Sequence, residues 1–87
     1  MHVLYVIKSE VDDGLYIGVT NDLKRRLEEH NQGMNRSTKS RKPFKLIYCE
    51  GYKSKRDALI REKKLKQYKN SYTELKKRII HSLDCGA

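Results

Sequence analysis

Residues 3–7, VLYVI, and 15–19, LYIGV, flank the polar connection SEVDDG, and this pattern constrains the fold more than any other feature of the chain. Asp13-Gly14 is a turn signal, so the two stretches form a hairpin with strands over His2 to Lys8 and Leu15 to Val19. In the first strand Val3, Tyr5 and Ile7 alternate with Leu4 and Val6, so both faces are covered. At 87 residues the chain forms one domain, 1–87, which removes only roughly 60 to 65% of its unfolded surface from water. Its core is therefore small.

Thr20, Asn21 or Asp22 can cap a helix that runs to about Gln32, where Gly33 supplies a stop. From Gly33 to Pro43 the segment GMNRSTKSRKP is polar, basic and aperiodic, and it reads as a mobile loop. Phe44 to Tyr52 makes a third strand. Ser54-Lys55-Arg56-Asp57 resembles a capping box opening a helix through about Tyr68, and Ser71 with Glu74 repeats the arrangement for a last helix, Tyr72 to about Leu83. The order ββαβαα predicts an α+β fold with a small three-stranded mixed sheet flanked by helices.

With 37% hydrophobic and 36% charged residues and no repeat, the composition fits a compact soluble domain. No apolar run approaches the roughly 18 to 20 residues needed to span a bilayer, and MHVLYVIKSE lacks a charged leader region and a cleavage site. No membrane role and a cytoplasmic location are expected. Cys49 and Cys85 make neither a disulfide framework nor a zinc pattern and read as free thiols, while His2, His30 and His81 are too scattered for a local metal cluster. Twenty Lys and Arg against eleven Asp and Glu give a formal charge of +9, which points toward a polyanion such as nucleic acid. Charge alone does not separate an enzyme from a binder, or RNA from DNA.

At 100° per residue, Leu23, Leu27, His30 and Arg26 fall within an arc of about 100°, with Arg25 nearly opposite. Arg26 therefore faces inward. An isolated inward arginine or histidine is commonly a snorkelling or hydrogen-bonded structural group. The next long helix repeats the oddity, because Glu62 falls among Ala58, Leu65 and Leu59 on the apolar stripe. A carboxylate placed there needs a cation, and either Arg26 or a bound metal satisfies that need. Tyr5 and Tyr16 add two phenols from one hairpin, and Gly18 leaves a side-chain-sized gap that can admit a ligand.

The set VLY (3–5), YIG (16–18), Arg26, His30 and Glu62 resembles the GIY-YIG nuclease superfamily, in its small stand-alone bacterial form, similar to the catalytic domain of the excinuclease C subunit. That resemblance implies an endonuclease acting on DNA, with repair or recombination as its setting. It implies catalytic roles for Tyr5, Tyr16, Arg26, His30 and Glu62, with Glu62 holding Mg²⁺ or Mn²⁺, Arg26 gripping the scissile phosphate, and the two phenols positioning or deprotonating water. Which phenol acts as base is left open. Three departures stand out: Val3 replaces the first glycine of the family motif, Val19 stands where some relatives have lysine, and Asn70 is a loose match to a family asparagine. Lys24, Arg25, Arg36, Lys39, Arg41, Lys42, Lys63, Lys64 and Lys66 flank the site and form a candidate DNA track. With no zinc finger or helix-turn-helix to choose a target, selectivity for DNA shape or single strands is expected. The competing expectations are a nucleic-acid-binding module with little activity and a subunit whose protein partner supplies targeting.

Overall fold

The computed structural model describes residues 1–83; Cys85 lies outside them. Strands β1 (His2–Ser9) and β2 (Leu15–Thr20) form the expected hairpin, and β3 (Phe44–Tyr52) pairs with the other side of β1, giving the order β2-β1-β3. Both pairings are antiparallel, so the sheet is antiparallel throughout and not mixed as the sequence suggested. The reason is placement. β3 runs in the same direction as β2, and a parallel ladder would need the two side by side, whereas β1 lies between them.

Helix α1 (Leu23–Asn31) starts at Asp22, whose carboxylate accepts from the Arg25 N–H at 3.1 Å, and the chain leaves it through Gly33 at φ 77°. Helix α2 (Lys55–Gln67) starts at Ser54, whose hydroxyl accepts from the Asp57 N–H. The final helical region departs from expectation: α3 (Lys69–Arg78) begins directly after Tyr68, and a short α4 (Ile80–Leu83) comes next. Ser71 and Glu74 lie inside α3 instead of capping it. Extended Tyr68 breaks the helical path, and burial of Leu75 and Ile79 sets the register of the turns beyond the break.

The two faces of the sheet bury different helices. Leu4, Val6 and Ile17 pack with Leu65, Leu75 and Ile79 from α2 and the region after it. Tyr5, Ile7 and Phe44 pack with Tyr16 and with Leu23 and Leu27 of α1. Each fully buried leucine or isoleucine contributes about 1.5–3 kcal/mol, so this sandwich accounts for most of what so small a chain can gain. Among the described residues no helix is long and apolar enough to cross a membrane.

The segment 33–43 is not the free loop that its polarity suggested. A 3₁₀ turn (Lys39–Arg41) interrupts it, Thr38 is buried, the Ser9 hydroxyl donates to the Arg41 carbonyl at 2.6 Å, and the Glu10 N–H donates to the Pro43 carbonyl at 2.9 Å. Asn31 closes the far end by donating to the Phe44 carbonyl and accepting from its N–H. Single polar side chains and one backbone bond make these anchors, so apolar periodicity carries no trace of them.

Gly18 faces Tyr5 across the hairpin, and the gap it leaves is filled by the Tyr5 ring rather than by a ligand. A Cβ at Gly18 would meet the Tyr5 hydroxyl and lie 2.6 Å from its Cζ. The flexible part of Tyr5 cannot yield without moving a ring packed on Ile7 and Phe44. Gly18→Ala is therefore expected to cost about 1–3 kcal/mol of stability, read from the urea midpoint; an unchanged midpoint would show that the ring is free to swing away.

Candidate active site

Tyr5 points from the central strand toward α1, and its hydroxyl lies 2.9 Å from His30 Nε2. The other ring nitrogen of His30, Nδ1, lies 2.7 Å from the Thr38 hydroxyl. All three residues are buried. Tyr16 completes the aromatic cluster, with its ring centroid 5.0 Å from His30 and 6.5 Å from Tyr5, and Phe44 closes it at 5.9 Å from His30. The placement of His30 on the inner face of α1 is thus realised as a hydrogen-bonded bridge between a strand and a loop.

Arg26 also faces inward, as the helical wheel requires, while Arg25 is exposed. Its Nε is buried and has no hydrogen-bond partner among the described residues. The nearest acidic group is Glu29, with Oε1 at 3.6 Å, beyond hydrogen-bond range. Arg26 borders one depression with His2, Val19, Thr20, Asn21 and Lys55, and a second with Glu29, Met34, Asn35 and Arg36.

Glu62 comes from α2 and is paired with Lys66 one turn on, at 3.2 Å, rather than with Arg26. Its side chain keeps 22% of its surface exposed, so it is accessible to a ligand. The Lys66 ammonium also stands 5.6 Å from the centroid of the Tyr16 ring, and Tyr16 with Lys66, Leu65, Leu15, Ile17 and Tyr72 lines a shallow depression. Where Val19 leaves the strand without a lysine, α2 therefore brings an ammonium to Tyr16.

Burial pushes the Tyr5 phenol well above its ordinary range. Tyr16, Glu62 and Glu29 add to that rise, and Arg26 works against it without prevailing. Tyr5, Tyr16 and His30 thus form one cluster, and Arg26 and Glu62 act on the Tyr5 phenol through space. Asn70 does not join them; it lies in the first turn of α3 and borders a depression with Arg61, Ser71, Glu74, Leu75 and Arg78.

Of the basic residues, Lys24, Arg25, Arg36, Lys39, Lys42, Lys63, Lys64 and Lys66 are exposed. Arg41 is committed elsewhere, with its Nε donating to Asp12 at 2.9 Å and its guanidinium 5.7 Å from the Phe44 ring centroid. Sequence reasoning missed Thr38, Glu29 and Lys55 at the site. It also missed a second polar cluster, in which Glu50 accepts from the Tyr48 and Tyr52 hydroxyls, each at 2.6 Å, and from Arg61 at 3.1 and 3.2 Å. Only the spacing of Glu50 from two tyrosines on one strand face hinted at that cluster.

Burial holds the His30 imidazole below its ordinary value, with Arg26 pushing the same way and Glu29 opposing. The folded chain therefore needs a neutral ring, whereas the unfolded chain takes up a proton near pH 6.5. Below that pH the unfolded state binds more protons than the folded one, so this contribution is complete above about 6.5 and is lost as pH falls toward the lower folded value. The urea midpoint is expected to drop between about pH 7.5 and 5.5, and His30→Gln, which has no ring to titrate, should lose that part of the slope. Parallel slopes for the two proteins would rule the assignment out.

Comparison with known proteins fits this geometry. Residues 1–78 match the model of the GIY-YIG catalytic domain. A UPF0213 protein of Bacillus velezensis is 39% identical over 82 residues, spanning 88% of this chain and 82% of the relative, and a UPF0213 protein of Staphylococcus aureus is 41% identical over 68 residues, spanning 77% and 82%. The solution NMR structure of a UPF0213 protein from Bacillus halodurans superposes with a TM-score of 0.54 at 29% identity, covering 98% of this chain and 86% of that one. With nearly the whole described chain matched, the chain belongs to the GIY-YIG family.

Proposed function

We propose that this protein is a metal-dependent endonuclease that hydrolyses phosphodiester bonds in DNA. A GIY-YIG catalytic domain implies a nuclease. The observation that carries the reading in this chain is Arg26 Nε, a buried donor with no hydrogen-bond partner among the described residues, within electrostatic reach of the Tyr5 phenol. A buried donor left unmet costs about 1–3 kcal/mol, and an anionic phosphate oxygen is the acceptor that suits a guanidinium best. Arg26 then binds the scissile phosphate and offsets the charge that develops on it.

Among the described residues no group of three or more His, Cys, Asp and Glu side chains forms a cage. Glu62 alone fits a cation of the magnesium type, which keeps waters and accepts one or two carboxylates together with substrate oxygens. Mg²⁺ or Mn²⁺ held there supplies Lewis-acid charge at the reacting phosphate. Tyr16, half-buried and bordering an open depression, orients the attacking water. Tyr5 remains a neutral phenol, held by His30.

Exposed Lys24, Arg25, Arg36, Lys39 and Lys42 supply phosphate contacts that carry no sequence information. Selectivity for DNA structure or single strands, a cytoplasmic setting and a place in repair or recombination complete this reading. One observation favours a second reading, a nucleic-acid-binding module with little turnover: Lys66 already neutralises Glu62 at 3.2 Å and competes with any cation for it.

Labelled single-stranded, branched and duplex DNA separate the two. The nuclease reading expects cleavage with Mg²⁺ or Mn²⁺, its loss with a chelator, and a fall of about 100-fold or more for Glu62→Gln and Arg26→Ala at a thermal midpoint no lower than that of the wild type. Salt-sensitive binding that survives both substitutions, with no turnover on any substrate, selects the binding module instead.

A further inference from the structure

Thr38 has no part in the chemistry above, yet it is fully buried between exposed Ser37 and Lys39. Its backbone is fixed there, with its N–H donating to the Asn35 carbonyl at 3.2 Å and its carbonyl accepting from the Arg41 N–H at 3.0 Å. The hydroxyl lies 2.7 Å from His30 Nδ1 and 3.5 Å from the Asn35 carbonyl oxygen. Four groups are thus joined in a line: the Asn35 carbonyl, the Thr38 hydroxyl, the His30 ring and the Tyr5 hydroxyl.

The line holds three protons, one on each hydroxyl and one on the neutral ring. In one arrangement Thr38 donates to the Asn35 carbonyl, His30 Nδ1–H donates to Thr38, and Tyr5 donates to His30 Nε2. Every proton then has an acceptor. In the reverse arrangement Nε2–H donates to Tyr5, and the phenol proton must go elsewhere. The bond to His30 is the one hydrogen bond the Tyr5 hydroxyl makes among the described residues, so the reverse leaves a buried donor unmet. Burial together with Arg26 keeps the ring neutral, as the line requires.

We infer that Thr38 is a positioning residue for DNA cleavage: by accepting the Nδ1 proton it fixes the His30 tautomer, so the Tyr5 proton is committed inward and the buried Tyr5 oxygen offers only acceptor capacity to a group brought against it with substrate. The consequence for cleavage rests on the nuclease reading; the tautomer does not. A water that donates one hydrogen to this oxygen has its orientation restricted, which is the entropy a preorganised site removes in advance. The identity of the protonated ring nitrogen is set by the partner of the other one. Thr38 supplies that partner from a loop that contributes no group to the phosphate or the cation.

Long-range ¹H–¹⁵N spectra at neutral pH read the tautomer directly, with the His30 signals assigned by their loss in His30→Gln. The wild-type protein should show Nδ1 protonated, Thr38→Ser should keep that pattern, and Thr38→Val should move it toward the other tautomer. In cleavage assays Thr38→Val should lower kcat on the order of tenfold at unchanged KM for DNA, and Thr38→Ser should restore it. If valine prevents folding, Thr38→Ala carries the same readouts. A wild-type spectrum with Nε2 protonated, or a tautomer that does not move without the hydroxyl, overturns the inference whether or not DNA is cut. The expected tautomer shift with wild-type kcat overturns the positioning role. The expected tautomer in a protein that cuts none of the DNA substrates supports the proton arrangement and removes the nuclease reading with the role that depends on it.

Discussion

One phenol lying across a glycine organises this fold. The Tyr5 ring crosses β2 at Gly18, where the absence of a side chain admits it, and its hydroxyl meets His30 of α1, which in turn meets Thr38 of the loop. The central strand, the edge strand, the first helix and the loop after it are thereby tied at one point. All three polar groups are buried, and each left unmet would cost about 1–3 kcal/mol. A chain with so small a core cannot bear several such penalties, so the network selects one arrangement of its neighbours as well as stabilising it.

That knot explains the inner edge of α1. A helix covering a sheet ordinarily turns apolar residues inward, and Leu23 and Leu27 do so. His30 is buried because it has a partner on each side of its ring, and Arg26 is only partly buried because it has none within hydrogen-bond range. The same helix face therefore passes from apolar packing, through a satisfied polar bridge, to a guanidinium whose Nε has no hydrogen-bond partner among the described residues. Structure and chemistry meet within two turns of helix.

Strand alternation, turn residues and caps made the elements legible, because each leaves a local mark: Asp13-Gly14 at the hairpin, Asp22 and Ser54 at the two caps, Gly33 after α1. The arginine and histidine of α1 were legible too, since inward polar residues violate helical patterning. Illegible features depended on partners distant in sequence. Nothing local says that β3 joins the far side of β1, which makes the sheet antiparallel, and Ser71-Glu74 carries a capping pattern that Tyr68 and the burial of Leu75 override. Thr38 looked like any loop threonine because its value lies in a ring eight positions away that the fold turns toward it. Gly18 was read as room for a ligand, and only the structure reveals that the protein's own Tyr5 takes it.

The chain contains the same ingredients twice, and the contrast separates structure from function. Tyr48, Tyr52, Glu50 and Arg61 form a closed set: burial of Glu50 opposes its ionisation, but hydrogen bonds from Arg61 and both phenols outweigh burial and hold the carboxyl below its usual range. Every strong donor there already faces its acceptor, and a ligand could bind only by breaking bonds that the fold uses. Tyr5, Tyr16, Arg26 and Glu62 form an open set. Arg26 has Glu29 at 3.6 Å, and Glu62 has Lys66 at 3.2 Å, both pairs within one helix and partly exposed. Pairs of that kind contribute only about 0.3–0.5 kcal/mol, so they would give way to a better-matched ligand more readily than the Glu50 set. Convergence of two phenols, a guanidinium and a carboxylate does not by itself make a site, since Glu50 sits in such a group. What distinguishes Arg26 and Glu62 is that each is held only by a partly exposed neighbour on its own helix, whereas Glu50 is held by three partners from two elements.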